Sequence, residues 1–316
     1  MPTIDLSTPP PPPAGRLEGL PRRASLTLPE LRLAAELAGG APLPFDLQEV
    51  DPGTSPIEAR LGATRGTAED RAYRTALEAL HDPAATLARR GLLTDGRLEE
   101  QLAGAVGLLA TPRIALDLDV VAGGVQAKSW QRHSEGAVAT LSTADGIVFE
   151  LAWFPVAHWA GELARVPVLP EDLALSASAV PARLVLPYEL LDAATEATRE
   201  SRPDLLPVLL AQHPEAISTD GDPATALGEA EALQVLAALS HEAHGRLRAL
   251  VAQVGPRGTT VAGVVSWTLL ADGWHALRAR DDGPALVVEI EAVTAEQLGR
   301  ELAPVLTQVL GEGVAA

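Results

Sequence analysis

One passage is written twice in this chain, and the repetition limits the available folds more than any other feature. From Gly136 the sequence reads GAVATLSTADGIVFELAWFPVAHWAGELARVPVL; from Ser266 it reads SWTLLADGWHALRARDDGPALVVEIEAVTAEQLGRELAPVL. Each copy alternates apolar and polar residues, turns at an Asp-Gly pair (Asp145-Gly146, Asp282-Gly283), alternates again and closes with a helical pattern. Alternation marks a half-buried strand, and Asp-Gly between two such runs marks a hairpin. Phe149, Leu151 and Trp153 match Leu286, Val288 and Ile290. A shorter echo, Leu-x-Leu-Pro, occurs at Leu26–Pro29 and again at Leu184–Pro187.

The remaining segments fit around this repeat. Residues 1–24 are expected to form a tail, because the run Pro9–Pro13 favours polyproline II and can build neither helix nor ladder. A helix is expected near Pro29, with Leu28, Leu31, Leu33, Ala35 and Leu37 on its apolar face and Gly39-Gly40 as its stop. Thr67 is the expected N-cap of the next helix, and a shorter one restarts after Asp82-Pro83. TDGRLEEQLAGAVGLLATP reads as a further amphipathic helix. Ile114, Leu116, Leu118 and Val120 then alternate with Asp117 and Asp119, a strand, and VQAKSWQRH follows the Gly123-Gly124 turn as a weaker one. The second half repeats the order, with a long helical run expected across ALGEAEALQVLAALSHEAHGRLRALVAQV. A last helix opens at Thr294, capped with Gln297. The expected product is an α+β domain spanning residues 25–316. It is a pseudo-twofold duplicated unit with a central antiparallel β-sheet flanked by two helical bundles. Its halves run over about 25–175 and 176–316, each giving three or four strands.

The chemistry is narrowed mostly by what the sequence lacks. No cysteine is present, which excludes disulfides, thiolate catalysis and Cys-bound zinc. The formal net charge of −18 repels phosphate backbones, so no nucleic-acid partner is expected. The first residues lack the basic and apolar regions of a signal peptide, and no apolar run is long enough to span a bilayer. A cytoplasmic protein is expected. There is no phosphate-binding loop, no dinucleotide fingerprint and no nucleophile elbow. The metal candidate is His241 with His244, which share a face if the helix runs through both. Their spacing differs from the zinc-protease pattern and no third ligand stands nearby, so no metal and no cofactor are expected. Trp130 beside Arg132 and His133, and Trp274 beside His275, are candidate interface anchors, since part-exposed tryptophans serve that role.

Three stretches in this order resemble the EspG family, the type VII (ESX) secretion-associated proteins of actinobacteria. They are LTLPELRLAAELAGGAPLPF, LARRGLLTDGRLEEQLAGAVGLLATPRIALDLDV, and VVSWTLLADGWHALRA followed by TAEQLGRELAPVL. The resemblance covers most of residues 25 to 310 and implies a cytosolic chaperone without enzymatic activity. Such a chaperone binds the helical tip of the PPE subunit in a PE–PPE heterodimer, keeps it soluble and delivers it for secretion. It implies contact through a loop between central strands, matched here near Arg132 to Gly136, and through the C-terminal helical bundle, matched near Leu236, Leu239, His241 and His244. The expected partner is a PE–PPE heterodimer or a similar helical-hairpin substrate, bound by a monomer or weak homodimer. The rival readings are a metal- or carboxylate-dependent hydrolase and a structural homodimer.

Overall fold

The computed structural model describes residues 21–45, 82–214, 216–256, 258–281 and 286–312. Ten strands form one antiparallel sheet in the order β1-β7-β6-β5-β4-β9-β10-β11-β12-β8. The first half supplies β1 (Arg22–Thr27), β4 (Ile114–Ala122), β5 (Val125–Ser134), β6 (Ala137–Thr143) and β7 (Val148–Pro155). The second supplies β8 (Arg183–Pro187), β9 (Gly245–Gly255), β10 (Gly258–Leu270), β11 (Gly273–Asp281) and β12 (Leu286–Ala292). A small hairpin, β2 (Leu93–Thr94) and β3 (Arg97–Leu98), stands apart. The order is the same read outward from the centre in each half, so the pseudo-twofold lies between β4 and β9, which pair from Ile114↔Gln253 to Ala122↔Gly245. Each half therefore gives five strands to this sheet, more than expected.

The Leu-x-Leu-Pro echo marks the two outer strands. Leu26 sits opposite Phe149 and Leu184 opposite Ile290. Phe149 thus corresponds to Ile290, and the match to Leu286 drawn from the sequence is out of register. Alternating patterns align equally well at every second residue, and only a fixed neighbour distinguishes them. β1 also begins inside the expected tail, because Arg22 and Arg23 pair with Trp153 and Ala152.

Helices cover the sheet in a pattern set by strand alternation. On one face lie Ile114, Leu116, Leu118 and Val120 with Leu247, Ala249, Val251 and Trp267. They pack beneath α4 (Trp159–Leu163) and α8 (Gln297–Glu312). On the other face α1 (Leu28–Leu37), α2 (Pro83–Arg89) and α3 (Glu100–Ala110) cover the outer strands of the first half. There α5 (Tyr188–Arg199), α6 (Leu206–Ala211) and α7 (Glu229–His241) cover those of the second. Between these bundles the central strands carry Asp117, Asp119, Arg246 and Arg248, with Arg246 Nη2 3.9 Å from Asp119 Oδ2.

Several local expectations are corrected. α1 buries Leu28, Leu31, Ala34 and Ala35, while Leu33 is half-buried and Leu37 exposed. Its cap is a full capping box of Thr27 and Glu30. Thr94 to Leu98 form the small hairpin, so α3 starts only at Glu100. The long helical run ends at His241, and Leu247 to Val254 lie on β9, a central strand. Gly245 explains the change of structure. A Cβ there would lie 2.1 Å from Val121 O, so only glycine lets β9 close against β4. Glu242 leaves the helix and accepts from Ala179 N (2.9 Å) and Ser178 Oγ (2.5 Å), which ties the connection 168–182 to the bundle. The cap expected at Thr67 and the turn at Asp282-Gly283 lie outside the described residues.

Candidate docking surface

The tryptophans and histidines expected at an interface are mostly structural. Trp274 is buried; its Nε1 donates to Pro167 O (2.7 Å) and its ring tilts against Trp267 at 6.2 Å. His275 is fully buried, with Nε2 2.9 Å from Asp272 Oδ1 in the β10–β11 turn. Trp130 is half-buried and meets the ring of Phe45 at 4.8 Å. Arg132 is buried and donates to Asp117 Oδ1 (2.6 Å). His133 is buried and stacks on Trp159 at 5.5 Å. Burial pushes the His133 imidazole pKa down, and the nearby Arg113 charge adds to the effect. Leu236 and Leu239 fill the core beneath α7. Of these only Trp130 keeps part of its surface exposed. Successive strand residues point to opposite faces, and both members of the pairs Arg132–His133 and Trp274–His275 are buried, so the sheet is covered on both faces at those positions.

The loop expected near Arg132 to Gly136 is a two-residue turn. Glu135 (φ 51°) and Gly136 (φ 81°) both adopt the left-handed region, the signature of a tight hairpin. His241 and His244 are exposed, yet they share no helix face, because the helix ends at His241 and His244 N donates to Leu269 O (2.8 Å). Among the described residues no group of three or more His, Asp or Glu side chains is arranged to hold a metal ion. No described helix is long and apolar enough to cross a membrane.

The surface that does present apolar groups lies elsewhere in the second bundle. A groove of about 510 Å³ runs between α6 and the start of α7, lined by Leu210, Ala211, Ile217, Leu227 and Ala232, with Glu229 at its side. The sequence LPVLLA of α6 is apolar on every side. Leu206 and Leu210 point into the bundle, and Val208 points out with 56% of its surface exposed. A helix apolar all round buries one face in its own core and leaves the other for a partner. The surroundings are acidic: Glu229 and Glu231 are exposed on the first turn of α7. The Thr225 hydroxyl and then the Asp222 N–H hold the Asp220 carboxyl below the usual range, so it stays charged. Nothing in the sequence pattern separated Val208 from its buried neighbours, since the run reads as uniformly apolar.

A second recess, about 210 Å³, lies on the opposite face near α4 and is polar, lined by Ser129, Gln131, Thr140, Glu150, Glu162 and Arg23. Arg23 bridges Glu150 (2.7 Å) and Glu162 there.

No family model and no curated protein sequence matches the chain. Among solved structures it is similar to the type VII secretion system chaperone EspG5 of Mycobacterium tuberculosis, solved in complex with the PE25–PPE41 dimer. The likeness has a TM-score of 0.57 at 13% identity and covers 90% of this chain and 96% of that one. It shows a shared fold: a large central antiparallel sheet with flanking helices.

Proposed function

We propose that this chain is a cytosolic chaperone of type VII secretion, which shields the apolar tip of a helical PE–PPE-like client. The observation that carries the reading is the end-to-end fold likeness to a chaperone solved with its client. The groove of the α6–α7 bundle supports it, because it combines an apolar floor with an acidic rim. Burial of apolar client side chains against Ala211, Ala226 and Leu227 would supply the affinity, at about 25 cal/mol per Å² removed from water. Glu229 and Glu231 at the rim would select orientation and raise the association rate of a client with a basic collar. The chemistry required is only desolvation and charge complementarity, so no catalytic group is invoked.

The test is co-expression with helical-hairpin secretion candidates encoded near it, followed by affinity capture and size-exclusion chromatography. A stable complex with solubilised client is expected, and Ala211→Glu should weaken it about tenfold or more by placing a charge in the groove. Failure to bind any such candidate overturns the proposal.

A further inference from the structure

A strand edge lies open in the middle of the sheet. β10 pairs with β9 from Gly258 to Leu269, almost its entire length. With β11 it pairs only from Ser266 to Leu270. β11 nevertheless continues beside β12 as far as Asp281↔Leu286. The two strands therefore fork, and Gly258 to Val265 have no strand partner on the β11 side among the described residues. The first half lacks such a fork. Its counterparts β5 and β6 pair from Lys128 to Ser134, so β5 runs past β6 by only three residues, Val125 to Ala127, which pair with β4.

The pairing pattern identifies the free backbone groups. His244 N donates to Leu269 O, so Leu269 bonds on the β9 side and Val264, one parity away, points into the fork. Val254 N donates to Arg113 O, just before β4, so its partner Thr259 is also turned away from β9. Val261, two residues on in the same register, is in phase with Thr259, and the register shift between Val261 and Gly263 moves the phase to Val264. Thr259, Val261 and Val264 thus aim their N–H and C=O groups into the fork, and all three residues are exposed.

Exposed edges in natural sheets are blunted by charges, prolines or a covering segment. The outer edges here follow that rule. β1 opens with Arg22-Arg23, and Val185 of β8 exchanges hydrogen bonds with Ser218 (2.8 and 3.0 Å). The stretch GTTVAGV at 258–264 has no ionisable side chain and no proline. Val261 and Val264 lie on one sheet face, beside Leu250 and Ala252. On the other face α8 comes down on the backbone, where a Cβ on Gly263 would lie 2.9 Å from Val305 Cγ1.

We infer that the β10 fork takes up an extended peptide segment by strand addition. The segment would pair with Thr259 to Val264, carry β-branched side chains on the Val261 face and small residues on the Val305 face. A second copy of this chain fits poorly. The free edge is about 20 Å long, at about 3.3 Å per residue. A single such edge buries far less than the roughly 800 Å² per partner of a stable interface. A fork bordered by β11 also admits one strand and not a strand with its own sheet behind it. The net charge of −18 opposes self-association and favours a neutral or basic peptide. This inference is independent of the α6–α7 groove, and either can fail without the other.

The test uses the full chain and a synthetic peptide of alternating valine and glycine flanked by lysines, with amide hydrogen exchange as the readout. Exchange at Thr259, Val261 and Val264 should slow about tenfold or more at saturating peptide, while the β9-facing amides of Thr260 and Gly263 change little. Val261→Pro removes one fork-facing N–H and leaves the β9 ladder intact, so it should abolish protection at Thr259 and Val264. Thr259→Pro carries the same test if the bulge does not tolerate proline. Unchanged exchange with peptide, undiminished binding by both variants, or protection that appears without peptide as protein concentration rises would each overturn the inference.

Discussion

His133 and Asp145 are both pushed toward their deprotonated forms, by different causes, and each predicts a separate pH window. Burial and the Arg113 charge lower the His133 pKa, so the folded state favours the neutral ring. Its contribution is complete above the ordinary histidine value of about 6.5 and is lost as pH falls through the lowered one. Chemical denaturation at about pH 7.5 and pH 5 should show lower stability at pH 5, and His133→Gln should flatten that slope. An unchanged slope would locate the titration elsewhere. Asp145 is also lowered: burial alone would raise it, but the N–H groups of Ile147 and Val148 and the Thr143 hydroxyl outweigh it. Its contribution is present above the ordinary carboxylate value and disappears at more acid pH. Asp145→Ala strips the acceptor from Ile147 N (2.8 Å) and Val148 N (3.0 Å) and should cost about 1–2 kcal/mol at neutral pH, read from the denaturation midpoint. Both residues were visible in the sequence, yet only Asp145 could be assigned there. Asp-Gly between two strands is a local turn signal, whereas the burial of His133 depends on Trp159, twenty-odd residues away in the chain.

At the scale of elements, the meeting of α7 and β9 decides most. The run from Ala226 to Val254 reads as one helix because its leucines and alanines satisfy a helical period. The observed break at His241–Gly245 converts half of it into a strand at the sheet's centre. Leucine and alanine have weak β preference, and burial of Leu247, Ala249 and Val251 on one face of the sheet overrides it. Gly245→Ala tests the packing reason directly. Its Cβ would press on the backbone oxygen of Val121, and a loss of about 1–3 kcal/mol is expected by thermal or urea unfolding. A neutral effect would mean that β4 and β9 separate easily at Ala122. Trp274 belongs to the same scale. The sequence placed it behind a turn glycine as a candidate anchor, but it pins the connection through Pro167 O.

For the whole molecule, the sheet runs unbroken through the pseudo-twofold, and the β4–β9 ladder joins the halves along nine residue pairs. We propose that residues 25–316 fold as one unit for this reason. Calorimetry should give a single transition whose measured and van't Hoff enthalpies agree; two separable transitions would divide the molecule at the centre. The sequence by itself determined the α+β class, the duplicated plan, most of the hairpins and the edge-strand echo. Those depend on period, turn chemistry and order along the chain, all of which are local. Tertiary structure alone decided the register between copies, the central strand β9, which aromatic residues are core, and where β10 parts from β11. Each of these depends on what stands across from a residue rather than beside it. An alternating strand or an apolar run looks the same whether its neighbour is a helix, another strand or solvent. The two surfaces left without such neighbours, Val208 on α6 and Thr259 to Val264 on β10, could therefore be located only once the sheet was assembled.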